Sequence, residues 1–215
     1  MCNKKVNDLS HHKVDKNAEE YEKDKLLVAK VLQGDQAAFA AIIKNSERMT
    51  AHVICRMIKS IEDQKDIAQE VYIKAFRNLS GFKFQSKLST WLCQIAYNSC
   101  INHLGKKKFT SLDELIPSGH EVHFDDEVNS SANNTLIPFN LPVYPDNLGE
   151  ILAKEIQKLP SLYQTLIGLY HQEELSYSEI REITQLPEGT VKNYLYRARK
   201  TLKENILLQY KREDL

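Results

Sequence analysis

Residues 175–203, LSYSEIREITQLPEGTVKNYLYRARKTLK, decide the reading of the fold, because they encode two short helices joined by a turn. Ser176 followed by Glu179 is a capping box: the hydroxyl accepts from an orphan backbone N–H while the carboxylate reaches back to the N–H of the cap. The first helix therefore starts near Tyr177 and has Ile180 and Ile183 on its apolar side. Pro187 suits the first turn of a second helix, where its missing N–H costs nothing. Val191, Leu195, Ala198 and Leu202 then fall at i, i+4, i+7 and i+11, one buried stripe at the helical period. Lys192, Asn193, Tyr196, Arg197, Arg199, Lys200 and Lys203 occupy the other faces. Such side chains can donate to phosphates and base edges from the place a recognition helix presents to a major groove. A basic, solvated amphipathic helix would share the stripe. The capping box, the turn and the Pro-led second helix favour a helix-turn-helix that binds DNA.

The wider composition points to an all-α protein. With 7 Gly and 6 Pro in 215 residues, long helices run without interruption, and no sustained apolar–polar alternation marks a strand. The formal net charge is zero, but its distribution is uneven, and distribution governs partner choice more than the sum does. Between Ser111 and Glu150 there is no Lys or Arg, while Asp113, Glu114, Glu121, Asp125, Asp126, Glu127, Asp146 and Glu150 make the stretch acidic. The remainder is correspondingly basic. Cys2, Cys55, Cys93 and Cys100 show no CxxC spacing, which predicts neither a zinc site nor a disulfide framework but reduced thiols in a cytoplasmic protein. No run approaches the roughly 20 apolar residues of a membrane span, and no apolar signal core opens the chain.

Composition also divides the chain. Residues 1–24 are polar and read as a flexible tail, in which His11 and His12 lack a third metal ligand. A continuous helical region runs from Leu26 to about Lys108 and ends in Gly105 and the basic run Lys106, Lys107, Lys108. Beyond Thr110, Pro117, Ser118, Gly119, Asn133, Asn134, Pro138, Pro142 and Pro145 would interrupt any long helix. A structureless connection this long is unusual inside one compact domain. Two small helical domains are therefore expected, at residues 25–109 and 148–209, joined by an acidic linker at 110–147.

Two segments of the first domain carry further signals. In DIAQEVYIKAF, residues 66–76, Ile67, Val71 and Ala75 form a narrow buried stripe, and Asp66 and Glu70 point away from it. Glu70 and Lys74 stand in the favourable order for a helical ion pair. From Phe82 to His103, Phe82, Phe84, Trp91 and Tyr97 are interleaved with Lys83, Lys87, Asn98 and Asn102. Aromatic faces for stacking and cations for the backbone are what a single strand of nucleic acid needs. Several of these aromatics also suit a core, and Trp91 is open to either role.

With both halves in view, the chain resembles the extracytoplasmic-function sigma factors, small members of the sigma-70 family. The resemblance spans about residues 26–108 and 148–206 and rests on DIAQEVYIKAF, STWLCQIAYNSCINHL at 89–104, and YSEI with PEGTVKNYLYRARKTL in the C-terminal part. Three such pieces in order are highly specific. The resemblance implies region 2 in the first domain and region 4 in the second. It implies that Asp66, Gln69 and Glu70 contact core RNA polymerase, on the clamp helices of its largest subunit. It further implies a flipped minus-10 base held by the loop from Phe84 to Ser89, with Phe84, Gln85, Ser86, Lys87, Trp91, Asn98 and Asn102 near the DNA and Lys106, Lys107 and Lys108 on upstream phosphates. Phe84 stands where the family usually has Gly, and Gln85 where an acidic residue is common. In the second domain Lys192, Asn193, Tyr196 and Arg197 would read the minus-35 element, with Thr190 and Arg199 near phosphates.

By the same resemblance the linker threads toward the polymerase channels, and an anti-sigma factor is the expected regulator; on composition alone the linker reads as a disordered tether. The expectation is a monomer when free, with no cofactor, no metal and no small-molecule substrate, and with promoter DNA and polymerase as partners. A stand-alone helix-turn-helix regulator would leave DIAQEVYIKAF and the aromatic segment unexplained. An enzyme is disfavoured, because His120, His123, Asp125 and Asp126 sit in the predicted linker, where nothing rigid would hold them, and no HExxH or P-loop is present.

Overall fold

The computed structural model describes residues 19–110 and 148–209, without the side chains of 106–110 and 148. The regular structure of the described residues is helical: α1 (residues 19–32), α2 (Gln36–Met57), α3 (Ile61–Asn78), a short 3-10 turn (Leu79–Gly81), α4 (Leu88–Thr110), α5 (Leu148–Gln157), α6 (Ser161–His171), α7 (Tyr177–Thr184) and α8 (Glu188–Gln209).

Local chemistry sets the helix starts. Gly34, at φ 94, makes the turn that places Asp35 before α2, and the Asp35 carboxylate accepts from the N–H groups of Ala37 and Ala38 at 2.8 and 3.1 Å. Ser60 caps α3 through the N–H of Asp63, and Glu62 and Asp63 lie in the first turn, where the helix dipole favours anions. The first amide of α4 is capped from a distance: Leu88 N–H donates to Asp24 of α1 at 3.1 Å. Residues 19–24, expected to belong to the tail, are therefore helical. Asp24 ties them to α4, and Tyr21 sets its ring edge-on to Phe84 at 6.0 Å.

Two apolar clusters hold the helices together. One lies within the first half and includes Val28, Ala38, Ile42, Ala75, Leu79, Phe82 and Leu92. The other crosses between the halves, joining Val53, Ile54, Val71, Cys93 and Ala96 to Leu166, Leu169, Ile180, Ile183, Val191 and Leu195. Full burial of a side chain of this size contributes about 1.5–3 kcal/mol. In this packing α6 lies on α2 and α7 on α4, so the two helical halves rest against each other. A polar seam borders the shared core: Arg48 pairs with Glu173 at 2.7 Å, and Arg56 Nη1 donates to Gln164 at 3.3 Å. The linker expected at 110–147 lies outside the described residues beyond Thr110, as do His11, His12, His120 and His123. No helix among the described residues is long and apolar enough to cross a membrane.

Candidate nucleic-acid interface

The helix-turn-helix is built as its residues dictate. Ser176 Oγ accepts from Glu179 N–H at 3.2 Å, while the Glu179 carboxylate accepts from Ser176 N–H at 2.8 Å, closing the capping box of α7. Ile180 and Ile183 are fully buried. Gln185 ends α7 in the left-handed region, at φ 59, and its N–H bonds the carbonyl of Arg181 at 2.8 Å. Pro187 stands just ahead of α8 rather than within its first turn, and its carbonyl accepts from Thr190 and Val191. Val191, Leu195 and Ala198 are wholly buried, Leu202 is half-buried at the edge of the stripe, and Tyr194 turns inward against Tyr163.

The outer face of α8 exposes Lys192, Asn193, Tyr196, Arg197, Arg199 and Lys200 together, with Thr190 half-buried in the first turn. Tyr196 is 66% exposed, a large aromatic surface left open beside cations. Behind the basic face stands a group that sequence reasoning did not single out. Tyr170 and Tyr177 stack at 5.1 Å, Arg199 lies over Tyr170 at 4.9 Å, Lys192 lies over Tyr177 at 5.2 Å, and Arg199 Nε donates to His171 at 3.1 Å. The hydrogen bond from Tyr170, with Arg199 and Lys192 close by, lowers the Tyr177 phenol below its ordinary pKa. Lys192 is itself raised by its partner Glu188, 2.6 Å away. The stack orients two cations before any ligand arrives. Only the spacing of Tyr170 and His171 ahead of the first helix, with Tyr177 at its start, could have hinted at it.

On α3, Ile67, Val71 and Ala75 are buried as the periodicity predicts, and Asp66, Gln69 and Glu70 form an exposed row. Glu70 pairs with Lys74 at 2.5 Å, and Lys74 also donates to Ser99. Next to the row, Ile73 and Phe76 are 51% and 56% exposed, with Phe39 edge-on to Phe76 at 5.0 Å.

The aromatic segment forms a cleft of about 340 Å³. Gly81, Phe82, Lys83, Gln85 and Ser86 supply its loop wall, and Thr90, Trp91 and Gln94 supply its α4 wall. Thr90 Oγ1 is buried there without a hydrogen-bond partner among the described residues. Gln85, Ser86 and Trp91 are thus brought together at one cleft. Trp91 serves both roles, since it packs on Phe82 at 5.0 Å and also lines the cleft. Phe84 is not part of the lining: it adopts φ 54 and turns its ring onto Phe82 at 4.7 Å. That left-handed backbone accounts for a position where Gly is usual, and holding Phe there costs on the order of 1–2 kcal/mol, which the ring packing offsets. Lys87 stands aside from the cleft, between Glu20 at 3.3 Å and Glu179 at 3.7 Å. Asn98 and Asn102 are exposed on α4 away from the lining, and Tyr97 is in the core. The side chains of Lys106, Lys107 and Lys108 lie outside the described residues. Thr90 and Gln94 went unnoticed in the sequence because neither is aromatic or charged.

Comparison with known proteins fits this geometry. The sequence model of sigma-70 region 2 matches residues 42–110, and that of sigma-70 region 4 matches residues 149–202. The chain is 33% identical over 187 residues to the ECF RNA polymerase sigma factor SigW of Bacillus subtilis, covering 83% of this chain and 94% of that one. The chain belongs to the extracytoplasmic-function sigma factors. This sigma factor is also 30% identical to the RNA polymerase sigma-H factor of Pseudomonas aeruginosa, over 84% of its own length and 92% of the relative's, and 30% identical to the ECF RNA polymerase sigma-E factor of Escherichia coli, over 85% and 94%. Among solved structures, CnrH in complex with the cytosolic domain of CnrY is similar in fold, with a TM-score of 0.55 at 16% identity over 87% of this chain and 99% of that one. The sigma factor RpoE of Bartonella quintana, solved with the anti-sigma factor NepR, gives a TM-score of 0.55 at 18% identity over 80% and 98%.

Proposed function

We propose that this sigma factor binds core RNA polymerase, directs it to promoters, opens the minus-10 element and so starts transcription. It carries no catalysis of its own; phosphodiester chemistry belongs to the polymerase, and the protein works in the cytoplasm where polymerase and promoter DNA are. Residues 25–109 act as region 2, 110–147 as the linker and 148–209 as region 4.

One observation carries the reading: the exposed row of Asp66, Gln69 and Glu70 on α3 lies beside the uncovered Ile73 and Phe76. A DNA-binding regulator working alone has no use for an acidic and apolar helix face on the half that lacks the helix-turn-helix. For a polymerase-docking subunit it is the main contact, with charge setting register and rate and the apolar pair contributing affinity. The cleft beside Trp91 then takes the flipped minus-10 base, and Lys192, Asn193, Tyr196 and Arg197 read minus-35, with Thr190 and Arg199 on phosphates. The same surfaces suit an anti-sigma factor, the kind of partner with which RpoE of Bartonella quintana was solved.

A titration of labelled protein against purified bacterial core RNA polymerase tests this, with an Asp66→Ala/Glu70→Ala variant alongside. Tight binding, weakened at least tenfold in the variant, is the expected result. No binding to core, with specific duplex binding by the protein alone, would move the assignment to a stand-alone regulator.

A further inference from the structure

The cleft assigned to the minus-10 base is not made by the first half alone. Glu182 and Gln185, at the far end of α7, complete its lining from the second half. Beside it, Lys87 faces Glu179 of α7 at 3.7 Å and Glu20 of α1 at 3.3 Å, so carboxylates stand where a DNA phosphate would pair with that lysine. Glu179 does this without giving up its cap: Oε2 stays on Ser176 while Oε1 points to Lys87.

The placement is backed by packing. Ile180 and Ile183 of α7 are buried in the core shared with Cys93 and Ala96 of α4, and α6 is seated on α2, where His52 meets Gly168. Meanwhile the α3 row and the basic face of α8 remain exposed. Of the three surfaces in the proposed function, the minus-10 cleft alone is covered by the chain itself among the described residues.

We propose that α7 is an intramolecular lid on the minus-10 cleft: Glu182 and Gln185 wall its side toward the second half, and Glu179 occupies the phosphate partner Lys87. This rests on the assignment of the cleft to the minus-10 base. The closed chain presents its polymerase-docking and duplex-reading faces but does not admit a single strand. Separation of α6 and α7 from α2 and α4 is the step that opens the cleft, and single-strand capture competes with it. The physical logic is substitution of like for like, since a carboxylate and an amide offer the charge and hydrogen bonds of a phosphate and a base edge.

Two full-length variants test the lid, each probed with a fluorescein-labelled non-template oligonucleotide carrying the minus-10 sequence of a promoter that the holoenzyme transcribes. Gly168→Ala forces α6 from His52 and opens the interface, as read by energy transfer between dyes on α2 and α6. Glu182→Ala/Gln185→Ala leaves the interface shut but clears the cleft. Each is expected to bind the oligonucleotide at least tenfold more tightly than the wild type, and adding His52→Ala to Gly168→Ala should return affinity and energy transfer toward the wild-type values. The holoenzyme is the control for the cleft itself. If the holoenzyme captures the strand but neither variant gains affinity over the free wild type, the lid is wrong. If a Thr90→Val/Gln94→Ala variant still captures the strand normally in the holoenzyme, the cleft assignment beneath it is wrong.

Discussion

The Nε2 of His52 lies where a side chain on Gly168 would have to be: a methyl group built on that glycine would come within 1.9 Å of it. His52 is on α2 and Gly168 on α6, so the missing Cβ is what lets the two halves meet here. Within α6 alone, Gly168→Ala should stabilise the helix by about 1 kcal/mol. In the full chain the new methyl group would overlap the half-buried His52 ring, and overpacking of this kind costs roughly 1–3 kcal/mol. A lower urea midpoint for Gly168→Ala is therefore expected, recovered in part by His52→Ala.

The same contact makes docking of the halves sensitive to acid. Burial, and then the charges of Arg56 and Arg48, lower the His52 pKa to about 4, against a bond to the Thr165 backbone that favours the charged form. Above pH 6.5 His52 is neutral whether the halves are docked or apart, and docking is at full strength. As pH falls from 6.5 toward 4 the undocked chain takes up a proton that the docked chain refuses, and docking weakens throughout that window. At 1.36 kcal/mol per unit the loss is on the order of a few kcal/mol. Glu173, raised by burial and held by Arg48, works in the opposite direction. The comparison is therefore between wild type and His52→Gln at each pH: melting temperatures from pH 7 to pH 4.5 should fall more steeply for the wild type, and parallel curves would remove His52 from the account.

Removing the cap of α7 should have a local and predictable cost. Ser176→Ala leaves Glu179 N–H without its acceptor and also removes the hydroxyl bonded to Oε2 at 2.8 Å. A loss of about 1 kcal/mol is expected in urea unfolding with an unchanged slope, and Ser176→Thr should retain most of it.

What could be read from the sequence was everything with a short period. Ser176 with Glu179, the Ile67, Val71, Ala75 stripe and the Val191, Leu195, Ala198 stripe are local patterns, and each is in place. The docking of α7 on α4 was not legible, because a contact between segments so far apart in the chain leaves no periodic trace. The docking of α6 on α2 left one mark, Gly168 inside a helix, where a glycine costs helix stability and here makes room for His52. Thr90, Gln94, Glu182 and Gln185 join the cleft for the same non-local reason. The backbone at Phe84 was hinted at by the family's usual Gly, but the direction its ring takes depends on Tyr21 and Phe82.

The thiols should react in order of burial. Burial raises Cys93 far above its ordinary pKa and pushes Cys100 up to about 12, while Cys55 is raised less and remains partly exposed, its thiol toward Gln64 at 3.5 Å. Since the thiolate is the nucleophile, iodoacetamide at pH 8 is expected to modify Cys55 before Cys93 and Cys100, which should label only on unfolding. Peptide mass mapping over time reads the order, and equal rates for the three would contradict the burial account.

Arg197 offers the sharpest test of how α8 reads DNA. It is exposed on the outward face, one turn from Asn193 and next to Tyr196, with none of the aromatic support that holds Arg199 over Tyr170. An arginine free to adjust its fork can bind a guanine edge at two points, and a good pair of that kind discriminates by about 1–3 kcal/mol. Arg199, already oriented by Tyr170 and His171, is suited to a fixed phosphate instead. Arg197→Ala should therefore depress transcription unevenly, severely at promoters with the preferred base at its position and little at the others. Arg199→Ala should depress all promoters alike and reduce the salt slope of binding by about one. In-vitro transcription from a set of single-base minus-35 variants separates the two, and a uniform loss for Arg197→Ala would make that residue a phosphate contact as well.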